Sequence, residues 1–241
     1  MDELSIEQRL QQISERIDSA CSKVGRDPAG VRLLAVTKTF PPEAVDEACR
    51  AGLDQMGESR IQEARQKLPL CSSRITWHFI GHLQRNKVRE AVEYFSMIHA
   101  IDSLRLLEAV DKACAEVGKR LPVLLEVNVS GEASKYGIPP GEVPQILDVA
   151  GRFLNVDIAG LMTIPPFSAE QEDARKYFKK LRELRDQWAG SHGFALKELS
   201  MGMSHDFEVA IEEGATWIRL GSMIFGNRKY KPAGNDMQEE C

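Results

Sequence analysis

The chain has 241 residues, and its 31 basic and 36 acidic side chains give it a formal charge of −5. This length suffices for a large hydrophobic core without disulfides, and it fits one α/β barrel of about 250 residues as well as two smaller domains. The mild acidity argues against a general nucleic-acid binder and against a protein bound to a membrane surface.

The cysteines and the amino terminus predict a reduced, intracellular protein. No basic segment followed by an apolar stretch opens the chain, and no apolar run approaches the ~18 residues of a membrane span. The cysteines are odd in number, widely spaced and without a CxxC pair, which favours reduced thiols over a disulfide or zinc framework. They are Cys21, Cys49, Cys71, Cys114 and Cys241. We therefore expect a cytoplasmic protein.

The first predicted element is an amphipathic helix over residues 4–24. Its apolar residues recur at three- and four-residue steps with polar residues between them. They are Leu4, Ile6, Leu10, Ile13, Ile17, Cys21 and Val24. Gly25 and the Asp27-Pro28 pair end this helix.

Short apolar runs then alternate with helical segments to the end of the chain. The runs predict buried strands over 31–36, 53–57, 75–81, 95–101, 121–129, 156–164, 196–201 and 217–220. Helices are predicted over 41–49, 61–68, 84–93, 103–117, 140–152, 168–188 and 207–213. The polar segment from Tyr230 onward is predicted to be frayed.

Eight such units predict an α/β chain whose parallel sheet closes into a (β/α)8 TIM barrel. The barrel is expected to form one domain over residues 1–241, with the extra helix over 4–24 at its start and a polar tail over 231–241. An open, doubly wound sheet is the alternative. The absence of a GxGxxG motif after the first strand counts against its dinucleotide-binding version.

The residues that follow the strands are the candidates for chemistry, because active groups of such barrels lie on the loops after the strands. Lys38 follows the first strand. A lysine desolvated at a barrel mouth has a lowered pKa and can form a Schiff base, although Lys38 could also simply reach solvent beyond the rim. The loops after strands seven and eight are rich in small residues, and such loops often bind phosphate through main-chain N–H groups. These residues are Ser200, Gly202, Ser204, Gly221, Ser222 and Gly226.

Lys38 and the two small-residue loops together suit an aldehyde that carries a phosphate, for which pyridoxal 5'-phosphate (PLP) is the obvious candidate. Arg219, at the end of strand eight, could face the ring nitrogen of PLP or belong to a structural ion pair. His78 and His82 are four residues apart on a strand rather than a helix, so no metal site is expected there. We expect His82 to line the barrel mouth.

At these residues the sequence resembles the PLP homeostasis proteins (the YggS/PROSC type), which share the barrel of alanine racemase. The resemblance runs over residues 31–228, nearly the whole chain. The matching motifs lie at residues 35–38, 57–58, 62–63, 78–87, 127–137, 160–162, 199–204 and 219–226.

The resemblance implies a fold-type III PLP-binding barrel in which Lys38 carries the cofactor as an internal aldimine. It implies that Arg219 faces the ring nitrogen and that the phosphate is held by Ser200, Ser204, Gly221 and Ser222. Val36, Met201 and His82 complete the expected cofactor-binding set, which contains no catalytic residue and no metal ligand. Ser59 stands where the family commonly has Asn, and His205 stands where an acidic residue is common.

We expect a protein that holds PLP reversibly, takes part in intracellular PLP homeostasis and has no strong catalytic activity. PLP-dependent apoenzymes are the expected partners, and a monomer is the expected state. The alternatives are a PLP-dependent amino-acid racemase and a Schiff-base aldolase acting on a phosphosugar.

Both alternatives lack features that their chemistry needs. A racemase needs a second base, which alanine racemase takes from a separate β domain and a partner subunit, and no second β domain is expected here. A guanidinium at the ring nitrogen does not give up its proton, so the ring would be a poorer electron sink, although alanine racemase itself uses such an arginine. An aldolase would want more carboxylates at the rim, where Asp102 and Glu126 are the candidates.

Overall fold

Each of the eight apolar runs forms a parallel strand, and the last strand pairs with the first to close a barrel. The structure is a computed structural model that describes residues 4–226. The strands are β1 Arg32–Val36, β2 Gln55–Glu58, β3 Thr76–Phe79, β4 Met97–Ile101, β5 Leu121–Glu126, β6 Val156–Met162, β7 Glu198–Ser200 and β8 Trp217–Leu220. The predicted (β/α)8 barrel is confirmed and the open sheet is wrong, because Leu34 of β1 pairs with Arg219 of β8.

Helices surround the barrel, and all of the predicted ones are present. They are α1 Ile6–Lys23, α2 Pro42–Arg50, α3 Ile61–Lys67, α4 Val88–Tyr94, α5 Leu104–Val117, α6 Val143–Ala150, α7 Arg175–His192, α8 Phe207–Glu212 and α9 Ser222–Phe225. Helices α4, α6 and α7 are each preceded by a short 3-10 turn. The four-residue α9 was not predicted, because it is too short for a periodic pattern.

The extra amino-terminal helix α1 covers the side of the barrel that is formed by the eighth strand and its neighbouring helices. It begins with a capping box, in which Ser5 and Gln8 exchange main-chain and side-chain hydrogen bonds. It packs against α8 and α9, and Arg16 pairs with Glu208 of α8 at 2.8 Å. Its apolar face thereby covers the elements that flank β8.

Several strands are shorter than predicted, and the cause is visible for β5 and β7. β5 ends at Glu126 because the chain folds back, and Ile138 donates its N–H to the Glu126 carbonyl at 2.7 Å. Gly137 permits this close return: a Cβ there would lie 2.8 Å from the Asn128 nitrogen, and its φ is +115°. β7 starts only at Glu198, since Leu196 has a positive φ of 38° that interrupts extended structure.

The core has two parts. The larger part lies between the strands and the helices, and a smaller apolar cluster fills the barrel interior with Leu34, Met97, Ala100, Leu124, Met162 and Trp217. The barrel interior also holds buried polar side chains. They are His78, His99, Glu126, Ser200 and Arg219. The interior is therefore not uniformly apolar.

None of the helices between residues 4 and 226 combines the length and the hydropathy that a membrane span needs. Cys21, Cys49 and Cys114 are buried free thiols, and Cys71 is a half-buried one. Cys241 and the predicted polar tail lie outside the described residues.

Candidate functional site

Lys38 lies at the mouth of the barrel, in the turn that follows β1. The turn is joined to β2 by the N–H of Thr37, which donates to the Gly57 carbonyl at 3.0 Å. It closes with a bond from the Phe40 N–H to the Thr37 carbonyl at 3.0 Å. Thr39 has a φ of +71°, a left-handed conformation that is uncommon for a β-branched residue. Surrounding contacts must therefore hold this turn in place.

Those contacts come from a buried ammonium group. Lys67 of α3 donates to Glu58 at 2.6 Å, to Glu63 at 2.7 Å and to the Thr37 carbonyl at 2.8 Å. Three acceptors satisfy all three N–H bonds of the lysine, whose side chain is 6% exposed. Burial raises the pKa of Glu58, and its bonds to Lys67 and Thr37 act in the opposite direction.

The same carboxylates reach both sides of Lys38. Glu58 accepts from the Thr37 hydroxyl at 2.5 Å, and Glu63 accepts from the Thr39 N–H at 2.5 Å. The residues before and after Lys38 are thus tied to one buried charge cluster. Sequence reasoning missed Lys67. The available signal was its position on the buried face of α3, in helical register with Ile61 and Ala64.

Arg219 is a second buried cation near the mouth. It is 4% exposed and donates to the Ser200 hydroxyl at 2.8 Å and to the Thr163 carbonyl at 3.0 Å. Burial lowers the pKa of Arg219 to about 10, while the charges of Asp206 and Glu126 raise it. The guanidinium is therefore charged at neutral pH.

Ser200 faces the barrel interior rather than the rim. Its hydroxyl is fully buried, accepts from Arg219, and lies 2.9 Å from Nδ1 of His99. The alternation of side chains along β7 points this residue inward. Because the hydroxyl is engaged on both sides and shielded from solvent, Ser200 is placed to support Arg219 rather than to hold a phosphate.

The loop after β8 packs directly on β1. A Cβ at Gly221 would lie 3.2 Å from the carbonyl oxygen of Val36 and 3.4 Å from its Cβ. Val36 is two residues before Lys38, so closure of the barrel brings the lysine turn and this loop together. Ser222 then begins α9, whose first N–H groups have no partner within the helix itself.

The loop after β7 lies over β8. The Arg219 N–H donates to the Gly202 carbonyl at 3.0 Å, and buried Met201 donates to the Trp217 carbonyl at 3.1 Å. Gly202 has a φ of +92° and would place a Cβ 2.6 Å from the Ala210 side chain. Half-buried Ser204 follows in this loop.

This donor set fits PLP. A lysine can bond to the aldehyde, hydroxyls and main-chain N–H groups of the two loops can hold a phosphate, and an arginine can face the ring nitrogen. The cradle formed by Gly221 on Val36 is tight enough that a side chain there would displace its neighbour.

His82 lies at the mouth, as expected. Its Nδ1 is 2.9 Å from Asp102, and its ring stacks on Tyr136 with 4.1 Å between the ring centroids. It therefore joins the loops that follow β3, β4 and β5. Nearby Glu126 is 6% exposed, and burial together with the charge of Asp102 raises its pKa to about 7.

The two positions that depart from the family pattern have different surroundings. Ser59 is half-buried. Gly81 packs against its main chain so closely that a Cβ on Gly81 would clash with the carbonyl oxygen of Ser59. Exposed His205 lies 3.0 Å from the Ala169 carbonyl through Nε2. The next residue, Asp206, is the buried acid of this loop and accepts from the Met203 N–H at 2.7 Å.

Over residues 4–226 no three His, Cys, Asp or Glu side chains group in a way that could hold a metal ion. His78 and His82, which are four residues apart in the sequence, do not lie together in the structure. His78 points into the barrel, where it contacts His99 and Gln55, whereas His82 lies at the mouth.

Comparison with known proteins identifies related sequences along almost the whole chain. The family model described as alanine racemase, N-terminal domain, matches residues 8–229. A pyridoxal phosphate homeostasis protein of Aquifex aeolicus is 45% identical over 224 residues, which cover 92% of this chain and 98% of that protein. Another, from Pseudomonas aeruginosa, is 42% identical over 227 residues, covering 94% and 97%. The structure of PipY from Synechococcus elongatus with PLP bound is 36% identical, has a TM-score of 0.79, and is matched over 89% of this chain and 100% of PipY.

Proposed function

Because this chain belongs to the family of pyridoxal phosphate homeostasis proteins, we propose that it binds PLP reversibly through Lys38 and passes it to PLP-dependent apoenzymes. The proposal rests on the contact of Gly221 with Val36. This contact places the loop after β8, the candidate phosphate-binding loop, beside the Lys38 turn. PLP, when bound, supplies an aldehyde that reacts reversibly with amines, so holding it on one lysine limits its reaction with others.

Each residue of the site has a proposed part in binding. Lys38 attaches the cofactor, and Arg219 faces the ring nitrogen. The phosphate is held by Ser204 and by Gly221 and Ser222 at the start of α9. Val36, Met201 and His82 complete the proposed set of cofactor contacts. PLP binding is also supported by the related PipY, whose structure is described with PLP bound.

A carrier is favoured over a racemase by the relatives, which are described as pyridoxal phosphate homeostasis proteins. Arg219 argues against carbanion chemistry in general, but it does not by itself separate the two, because alanine racemase has such an arginine as well. The Arg219 guanidinium is charged and already donates to Ser200 and Thr163, so it offers the ring nitrogen a hydrogen bond and not a proton. An unprotonated ring withdraws electrons weakly, which does not favour carbanion chemistry. We therefore propose no strong catalytic activity, in keeping with the names of the relatives.

We place the protein in the cytoplasm as a monomer, and we take residues 1–241 as one domain. The buried free thiols support a reducing compartment.

Delivery is tested by mixing PLP-loaded protein with a PLP-dependent apoenzyme in the presence of a phosphatase that destroys free PLP. We expect more apoenzyme activity to be restored by the loaded protein than by the same amount of free PLP. The Lys38→Ala variant mixed with the same amount of PLP is the control and should give no advantage. Equal reactivation by free PLP and by the loaded wild type would overturn the carrier function. Turnover of free alanine at enzymatic rates would favour the racemase instead.

A further inference from the structure

A continuous line of hydrogen-bonded side chains crosses the barrel interior from Arg219 to Gln55. Arg219 donates to Ser200 at 2.8 Å, and the Ser200 oxygen is 2.9 Å from Nδ1 of His99. Nε2 of His99 is 3.0 Å from Nδ1 of His78, whose Nε2 is 2.8 Å from the side-chain oxygen of Gln55. All but Gln55 are buried. Five side chains from β8, β7, β4, β3 and β2 thus form one axial chain.

The Gln55 end of the axial chain fixes the direction of the bonds between the side chains. The Gln55 amide nitrogen donates to Asp54 at 3.1 Å, so its oxygen, which can only accept, faces Nε2 of His78. A neutral His78 then carries its hydrogen on Nε2 and accepts at Nδ1 from Nε2 of His99. A neutral His99 in turn accepts at Nδ1 from the Ser200 hydroxyl, whose oxygen accepts from Arg219. Each hydrogen has one acceptor, and both histidines are the same tautomer.

The charges around the axial chain favour neutral histidines. Burial, the nearby Arg32 guanidinium and, in the opposite direction, Asp54 act on His78, whose pKa is lowered to about 4. Burial holds the pKa of His99 well below its usual value, and the charges of Arg219 and Arg32 act in the same direction. At the other end Asp206 and Glu126 face Arg219. A proton added to Nδ1 of His78 would face the Nε2 hydrogen of His99, and a proton added to Nδ1 of His99 would force the Ser200 hydrogen to turn away.

We propose that His99 and His78 are positioning residues for Arg219, acting through Ser200. With the Ser200 hydrogen committed to His99, a lone pair of the hydroxyl is presented to Nη1 of Arg219. The Thr163 carbonyl holds Nη2 at 3.0 Å. These two acceptors fix the plane of the guanidinium, and further N–H donors of the group are left for the ring nitrogen of bound PLP. The inference rests on the proposed function and extends it to residues that contact no cofactor.

The bond directions are tested on the ligand-free protein by nitrogen-15 NMR of its histidine rings. The two signals are assigned by single replacement of His78 and of His99, and the tautomers are read from the ring nitrogen shifts. We expect both rings to be neutral with hydrogen on Nε2, unchanged between about pH 8 and pH 6. Hydrogen on Nδ1 of either ring, or titration of either ring in that range, would overturn the axial chain.

The positioning role is tested by comparing PLP with an analogue that has carbon in place of the ring nitrogen. His99→Leu removes the acceptor for Ser200, whereas His99→Asn offers an oxygen near the place of Nδ1. We expect His99→Leu to reduce the preference for PLP over the analogue by about threefold or more, and His99→Asn to restore part of it. A merely structural histidine would change the affinity for both ligands equally, which would contradict the role. Failure of the wild type to bind either aldehyde would overturn the proposed function, and the positioning role with it.

Discussion

Lys67 donates to the main-chain carbonyl of Thr37 at 2.8 Å, one residue before Lys38. The bond comes from a buried ammonium that also holds Glu58 and Glu63. The Lys38 turn is therefore fixed to the core of the barrel by an ion cluster, and not only by its connection to β1. This matters because a lysine that attaches a ligand covalently must meet it in one geometry.

Lys67→Met is expected to destabilise the protein strongly. Removing the ammonium leaves the Glu58 carboxylate, which is fully buried, without its cation, and breaking a buried ion pair in this way costs about 3–5 kcal/mol. The free energy of unfolding in urea measures the loss. Adding Glu58→Gln to Lys67→Met should recover part of it, since a neutral amide replaces the stranded charge. Stability unchanged from wild type in Lys67→Met would show that the cluster does not hold the turn.

Glu126→Gln is expected to stabilise the ligand-free protein at high pH and much less at low pH. The pKa of Glu126 is raised from 4.5 to about 7 in the folded state, so between these values the folded protein keeps a proton that the unfolded chain has released. Stability is consequently lost as the pH rises through this window. The free energy of unfolding of Glu126→Gln should exceed that of wild type by on the order of 3 kcal/mol more at pH 8 than at pH 4.5.

The histidines act with the opposite sign, because their lowered pKa values make stability fall as the pH drops below 6.5. They are present in both proteins, so the difference between wild type and Glu126→Gln isolates the carboxyl. Glu142→Gln, at an exposed position, is the control and should follow wild type. A difference that is the same at both pH values would refute a raised pKa at Glu126.

Gly221→Ala is expected to weaken binding of PLP more than binding of pyridoxal, which lacks the phosphate. The new methyl group would meet the Val36 carbonyl at 3.2 Å and push the loop from its place at the mouth. Loss of one hydrogen bond to a charged phosphate corresponds to about a tenfold weaker affinity. Gly141→Ala, where a Cβ meets nothing within 4 Å, should bind both ligands as wild type does. Equal loss for PLP and pyridoxal would remove Gly221 from the phosphate site.

The sequence predicted the eight strands because their residues are apolar in short runs bounded by turn residues, a signal that depends only on local pattern. It predicted Lys38 at the mouth for the same reason, since the residue directly follows a buried strand. It did not predict that the hydroxyl of Ser200 is buried in the barrel interior. The composition of a three-residue strand does not show which of its side chains point inward.

The pairings within the two buried clusters could not be found from the sequence. Lys67 and Glu58 lie nine residues apart on different elements, and His99 meets Ser200 across 101 residues. The first pair forms when α3 packs on the outside of β2, and the second forms only when the barrel closes and sets inward side chains of distant strands against each other. The polar residues in strands β3 and β4 were visible, but their partners were not.

The most direct test of the account is to identify the residue that carries PLP. Wild type, Lys38→Ala and Lys87→Ala are incubated with PLP, reduced with borohydride, digested and mapped by mass spectrometry. Lys87 is a matched control, since it also lies near the mouth, where it is paired with Glu90 at 2.8 Å. We predict the adduct on Lys38 in wild type and Lys87→Ala, and none in a Lys38→Ala variant whose circular dichroism matches wild type. An adduct retained by Lys38→Ala, or spread over surface lysines of the wild type, would contradict it.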